Sequence, residues 1–194
     1  MEAIIPRWEW RTFGAGFGEA DRRFGALEPA RAEESDELYL LSRDTDANVK
    51  IRDGLMDVKT LEKVGAEGLE QWRPVMKASF PLPAAEAARV CAALAVAPVA
   101  GLDAYTLDQL QAELTRAPRQ VRIVRVHKRR RRYIVSGCGA EMTDVVADGK
   151  PIRTVAIEHE DPARVLAAVR EMGLDRFENV SYPRGLRQLL GPDG

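Results

Sequence analysis

Apolar and charged residues alternate along much of this chain. Trp8 and Trp10 stand between Arg7, Glu9 and Arg11. Val49 and Ile51 interleave with Lys50 and Arg52, and Val58 separates Asp57 from Lys59. Lys128, Arg130 and Arg132 share one parity, and Glu158 and Glu160 follow Val155 and Ile157. In a strand, residues two apart share a face. A half-buried sheet usually shows water a loose polar mixture. Here the polar faces are cation rows or carboxylate pairs, which repel themselves unless opposite charge lies between them. The pattern points to a site for a polyanion and a metal.

The same pattern predicts the elements. A strand is expected over 3–13, ended by Gly14, Gly16 and Gly18, then a short helix over 18–28 and a polar loop over 29–35. Strands follow at 37–43 and 49–52. Asp53-Gly54 is the strongest hairpin signal, with its return strand at 55–64. Another strand lies within 72–80. Helices are expected at 83–96, entered by Pro83, and at 106–117, capped by Thr106 or Asp108. A basic strand runs over 119–135. Strands at 140–147 and 151–160 flank the Asp148-Gly149 turn. A helix over 161–174 has Asp161 as N-cap and Pro162 at its first position, and a short helix closes the order. Hairpins dominate, so an α+β fold with a mainly antiparallel sheet is expected. One domain over 1–194 is the expected organisation, with room for two similar halves.

Composition narrows the chemistry. The chain has 194 residues, 45% hydrophobic and 30% charged, with a formal net charge of −1. No global field draws it to nucleic acid or to an anionic membrane, so any basic site is local. Cys91 and Cys138 lie far apart with no CxxC partner, and Cys91 reads as a core residue. The N-terminal residues lack a signal-peptide apolar run and no segment is long enough to span a bilayer, so a cytoplasmic location is expected. The GAGFG run at 14–18 lacks the Lys-Ser/Thr of a phosphate loop and reads as a plain loop.

The basic run RQVRIVRVHKRRRRY has three readings: a solvated surface strand, a nucleic-acid patch, or one wall of a buried anion site. A nucleic-acid patch would bring several stacking aromatics, and only Tyr133 is near. Guanidinium forks grip phosphate oxygens bidentately and stay charged at physiological pH. His127 has no second histidine nearby, and His159 falls on the opposite strand face from Glu158 and Glu160. Two carboxylates this close repel, a cost that a hard cation removes. Oxygen ligation suits Mg2+ or Mn2+. Glu9 could add a third ligand, and Glu141 and Asp144 are candidates for a fourth. The plain alternative is that these acids pair with neighbouring arginines and lysines.

In their order these motifs resemble the CYTH proteins, also called triphosphate tunnel metalloenzymes. RWEWR at 7–11 corresponds to a charged ExExK-like first strand. Lys50 and Arg52 in VKIR, Lys59 in DVKTL, and Lys128, Arg130 and Tyr133 in a K-x-R-x-x-Y pattern follow. Glu141 and Asp144 precede a Gly turn, Glu158 and Glu160 form an E-x-E strand, and Ser181 and Tyr182 match the ending. The resemblance implies a closed antiparallel β-barrel of about eight strands with flanking helices, forming a tunnel. Members hydrolyse inorganic, nucleoside or thiamine triphosphate, or cyclise ATP. Arg7, Arg11, Lys50, Arg52, Lys59, Lys128, Arg130 and Arg132, with Arg73 or Lys77, would hold phosphate oxygens. Glu9, Glu158 and Glu160 would hold Mg2+ or Mn2+ and, with Lys59, stand at the reacting phosphate. Two positions depart from the family pattern: Arg7 replaces its first Glu and Arg11 its Lys. The alternatives are a polyphosphate- or nucleotide-binding module without turnover, an adenylate cyclase, or an RNA-binding protein. The expected partner is a triphosphate or nucleotide, with neither nucleic acid nor membrane. The apolar faces carrying Trp8 and Trp10 face helices or a second subunit, which leaves a homodimer open.

Overall fold

The computed structural model describes residues 5–116 and 121–191. The start of the expected 3–13 and 119–135 strands and the last residue of the 106–117 helix lie outside them. The strands are β1 (Arg7–Gly14), β2 (Arg31–Ser42), β3 (Asn48–Arg52), β4 (Leu55–Val64), β5 (Glu70–Ser79), β6 (Leu82–Pro83), β7 (Ala104–Tyr105), β8 (Val121–Val135), β9 (Cys138–Ala147) and β10 (Lys150–His159). The helices are α1 (Glu19–Gly25), α2 (Ala84–Ala93), α3 (Leu107–Thr115), α4 (Pro162–Glu171) and α5 (Tyr182–Leu190). Eight strands close into an antiparallel barrel in the order β1-β10-β9-β8-β2-β3-β4-β5, and β6 and β7 form a separate two-stranded sheet. Closure removes free edges from the barrel itself.

Three tight turns make the hairpins. Asp53-Gly54, Ser136-Gly137 and Asp148-Gly149 all have positive φ at both central residues, which matches the right-handed twist of the flanking strands. Glycine takes the second position each time, where no Cβ opposes that conformation. Ser136-Gly137 is the turn the sequence analysis left unassigned.

The expected loop at 29–35 is a correction. β2 begins at Arg31, and the Ala30 N–H donates to the Arg132 carbonyl at 2.8 Å. Pairing with β8 overrides a polar composition that reads as loop.

The chain divides into two compact units, residues 1–35, 61–73 and 127–194 in the first and 36–60 and 74–126 in the second. In the first, Trp8, Trp10, Tyr133, Cys138, Ala140, Met142, Val155 and Ile157 form one strand face. It packs on Phe17, Ala20 and Phe24 of α1 and Val165, Ala168, Val169 and Met172 of α4. Helices therefore cover the tryptophan face. Asp161 caps α4 by accepting from the Ala163 N–H, with Pro162 at the first position.

In the second unit, Leu40, Val49, Ile51, Met56, Val58 and Met76 pack on Ala87, Val90, Cys91 and Leu94 of α2 and Leu110 and Leu114 of α3. Thr106 and Gln109 form a reciprocal capping box at the start of α3. Thr106, rather than Asp108, is the cap.

Candidate functional site

Burying the tryptophan face of the first unit turns the alternate residues the other way. Directly paired residues in an antiparallel ladder share a face. Glu9 pairs with Glu158 on one side and Glu70 on the other. Three glutamates thus stand in a row across β5, β1 and β10. Two residues along, Arg11 pairs with Ala156, which pairs with Glu141. Lys128 and Arg130 of β8 join this charged face and are buried, at 1% and 6% exposure, as is Arg11 at 6%.

These charges alternate. Arg11 Nε bonds Glu9 Oε1 at 2.8 Å and Arg11 Nη2 bonds Glu141 Oε1 at 2.9 Å. Arg130 Nε lies 3.2 Å from Glu141 Oε2, and its Nη1 reaches Glu33 Oε1 at 2.8 Å. Arg132 also reaches Glu33, at 2.9 Å. Arg7 Nη1 bonds Glu158 Oε1 at 3.0 Å, and Arg184 Nη1 bonds Glu70 Oε1 at 3.2 Å. Burial alone would raise the Glu141 carboxyl, but Arg11, Arg130 and Lys128 overcome it and hold it at about 2. Burial would lower the Arg11 pKa, yet Glu9 and Glu141 keep it above its ordinary value.

The segment before α5 closes on this face. The Arg11 N–H donates to Asn179 Oδ1 at 2.7 Å, and the Val180 N–H donates to the Arg11 carbonyl at 2.6 Å. Tyr182 then lays its ring against Lys128, Arg11 and Phe13.

The second unit carries its own charged strand face. Register places Glu37 opposite Arg52, Tyr39 opposite Lys50, and Lys50 opposite Asp57. Lys50 Nζ bonds the buried Glu37 at 3.2 Å, and Arg52 lies 4.0 Å from it. Desolvation lowers the Lys50 pKa, with Glu37 opposing. Lys59 is half-buried opposite Asn48.

Several predicted residues fall elsewhere. Glu160 sits at an exposed bend after β10 has ended at His159, because the strand stops one residue short of the second Glu of the E-x-E pair. Asp144 has the parity of Met142, on the helix-covered face, and pairs with Arg153 at 3.3 Å. Arg73 has the opposite parity to Glu70 and Trp72 and pairs with Glu62 at 2.7 Å. Lys77 is exposed. In the GAGFG loop, the Phe17 N–H donates to Asp21 at 2.6 Å. His127 bonds Glu34 at 2.7 Å, and His159 Nδ1 accepts from the Asp161 N–H.

Sequence reasoning missed Glu33, Glu37, Glu70 and Arg184. Glu70 lay just before the strand expected within 72–80, and Glu33 inside the segment read as loop. Glu37 carried a usable signal, since it shares parity with Tyr39 at the head of an alternating run.

The acids do not fit a divalent ion as they stand. Among the described residues no three His, Cys, Asp or Glu side chains converge as metal ligands. Glu9, Glu70, Glu141 and Glu158 are each taken up by at least one arginine. The simple pairing alternative describes these contacts.

No family model matches the sequence, and no curated protein does. Solved structures share the fold. A candidate adenylate cyclase from Bacillus halodurans is 11% identical, with 97% of this chain and 100% of that one covered at a TM-score of 0.51. A candidate adenylyl cyclase from Hippeastrum with a dominant triphosphatase activity is 13% identical over 94% and 95%, at 0.51. A conserved hypothetical protein from Pyrococcus furiosus is 16% identical over 91% and 98%, at 0.50. No helix among the described residues is long and apolar enough to cross a membrane.

Proposed function

We propose that this protein binds a triphosphate-containing small molecule and cleaves its terminal phosphoanhydride bond, as a divergent single-domain CYTH-type protein. The observation that carries the reading is the cationic set on one strand face, the buried Arg11, Lys128 and Arg130 with the more exposed Arg7 and Arg132, joined through Glu70 by Arg184 of α5. The barrel shared with the Hippeastrum protein supports the same substrate class. Inorganic, nucleoside and thiamine triphosphates all present the oxygens that guanidinium forks grip. Lys50, Arg52 and Lys59, on their own strand face, are proposed as phosphate contacts on the same chemical ground.

In such a reaction water attacks the terminal phosphorus in line and the remaining phosphate leaves. Catalysis is then largely positioning and neutralisation of charge on the phosphoryl oxygens. Here the arginines supply those two effects. The deciding experiment is phosphate release from tripolyphosphate, ATP and thiamine triphosphate, together with calorimetric binding of each. Release from one of them, reduced in Arg132→Ala at subsaturating substrate, supports the reading.

A second reading is binding without turnover. It is favoured by the commitment of Glu9, Glu141 and Glu158 to arginines, which leaves none of them set to orient water. Tight binding with no phosphate release would select it. No binding of any triphosphate would sink both.

A further inference from the structure

The glutamate row of the first unit holds like charges directly opposite one another, an arrangement that destabilises a sheet unless it is compensated. Two kinds of compensation are chemically available, a divalent cation bridging the oxygens or cationic side chains set among them. Each glutamate has its own guanidinium: Glu9 the Nε of Arg11 at 2.8 Å, Glu158 the Nη1 of Arg7 at 3.0 Å, and Glu70 the Nη1 of Arg184 at 3.2 Å. We infer that these three arginines take the place of a divalent cation in the row Glu70–Glu9–Glu158, so that the face binds its anion without a resident metal. This rests on the proposed triphosphate reading for the anion, and on geometry alone for the cation.

Three physical points carry it. First, a hard divalent ion needs several oxygens at about 2.0–2.1 Å for Mg2+, and each row carboxylate already spends its Oε1 on a guanidinium, so an ion at the other oxygen would sit beside a fixed positive charge. Second, Arg11 cannot withdraw cheaply. Its guanidinium is also bound to Glu141 and faces the Tyr182 ring, and its backbone is held by Asn179 and Val180. Arginine keeps its charge at every physiological pH, so no proton loss clears the place for a metal. Third, the face is not acidic in total. Glu9, Glu33, Glu70, Glu141 and Glu158 are matched by Arg7, Arg11, Lys128, Arg130, Arg132 and Arg184, the last shared with Glu178 at 3.7 Å. The charges are close to balanced, so the row offers a free divalent ion no net negative field.

Arg7 is the switchable member. Its side chain is 57% exposed, and it lies two residues from Glu9 on the same strand. Arg7→Glu removes the counter-ion of Glu158 and adds a carboxylate to the same face. The inference therefore predicts gain of a metal site from one substitution.

The test is Mn2+ titration read by electron paramagnetic resonance, with circular dichroism confirming each fold. The wild-type protein is expected to leave the free Mn2+ signal undiminished, and Arg7→Glu to bind one Mn2+ saturably. Arg184→Met, which takes one cation from Glu70 without adding a carboxylate, is expected to increase Mn2+ binding less. Saturable one-to-one Mn2+ binding by the wild type, abolished by Glu9→Gln, overturns the inference. So does a correctly folded Arg7→Glu that stays silent, since the guanidinium is then not what excludes the ion. A parallel calorimetric arm measures tripolyphosphate in EDTA, where affinity is expected to persist. Failure of that arm in every buffer sinks the triphosphate reading and leaves the Mn2+ result decisive for the row.

Discussion

Lys128 Nζ lies 4.0 Å from the centroid of the Tyr182 ring. The ammonium is buried, and the ring face supplies electron density in a place shielded from water. A desolvated contact of this kind contributes roughly 2 kcal/mol. Tyr182→Leu is expected to lose about 2–4 kcal/mol, from the cation–π contact and from ring packing on Phe13 together. Tyr182→Phe keeps the ring and is expected to lose much less. Urea unfolding of the two variants checks this.

Gly185 faces the Phe13 ring so closely that an added Cβ would overlap it. Overpacking of this sort costs about 1–3 kcal/mol. Gly185→Ala is therefore expected to lower the melting temperature, and Phe13→Leu in that background to recover part of the loss. A double-mutant thermal series reads the coupling directly.

Glu141 serves two arginines. Glu141→Gln leaves Arg11 and Arg130 undercompensated in a buried setting, where loss of one partner costs roughly 3 kcal/mol or more. Adding Arg130→Met to Glu141→Gln removes one of the stranded charges, so the double variant is expected to be more stable than Glu141→Gln alone. Denaturant midpoints decide it.

The same carboxylate sets an acid limit. Its folded pKa of about 2 lies below the ordinary value of 4.5, and Glu33 shifts downward too, against burial, through Arg130 and Arg132. A depressed carboxyl contributes stability that is complete above the unfolded pKa and is lost as pH falls through the folded one. The unfolding midpoint is expected to drop between pH 5 and about 2, and more gently in Glu141→Gln. A midpoint flat across that range would contradict the network.

Arg132 is on the charged face yet 45% exposed. A pair with one half-exposed partner contributes about 1 kcal/mol or less. Arg132→Ala is expected to weaken tripolyphosphate binding about tenfold, roughly 1.4 kcal/mol, with a much smaller fall in melting temperature than Glu141→Gln shows. Isothermal calorimetry beside a thermal melt separates the two effects.

Much of the fold was legible because barrel strands leave a period-two trace. The Trp8/Trp10 against Glu9/Arg11 alternation predicted one covered and one charged face, and the Asp-Gly turns fixed two hairpins. Asp161-Pro162 marked the start of α4 for local reasons. What was illegible depended on partners far along the chain. Glu33 gains meaning from β8, where Arg130 stands 97 positions away, and Glu70 from register with Glu9 and from Arg184. The Glu158/Glu160 pair misled because spacing cannot say where a strand stops. The Glu141/Asp144 pair is split between faces by the odd separation between them, a parity argument that was available in the sequence.

Arg11 meets Thr154 and Glu141 across separations of 143 and 130 positions. Ribosomes add roughly 5–20 residues per second, so β1 emerges on the order of ten seconds before β9 and β10 exist. During that interval Trp8 and Trp10 lack β10 and α4. Vectorial synthesis thus gives the first strand an obligatory wait, and its alternating charges keep half of it soluble until its neighbours arrive.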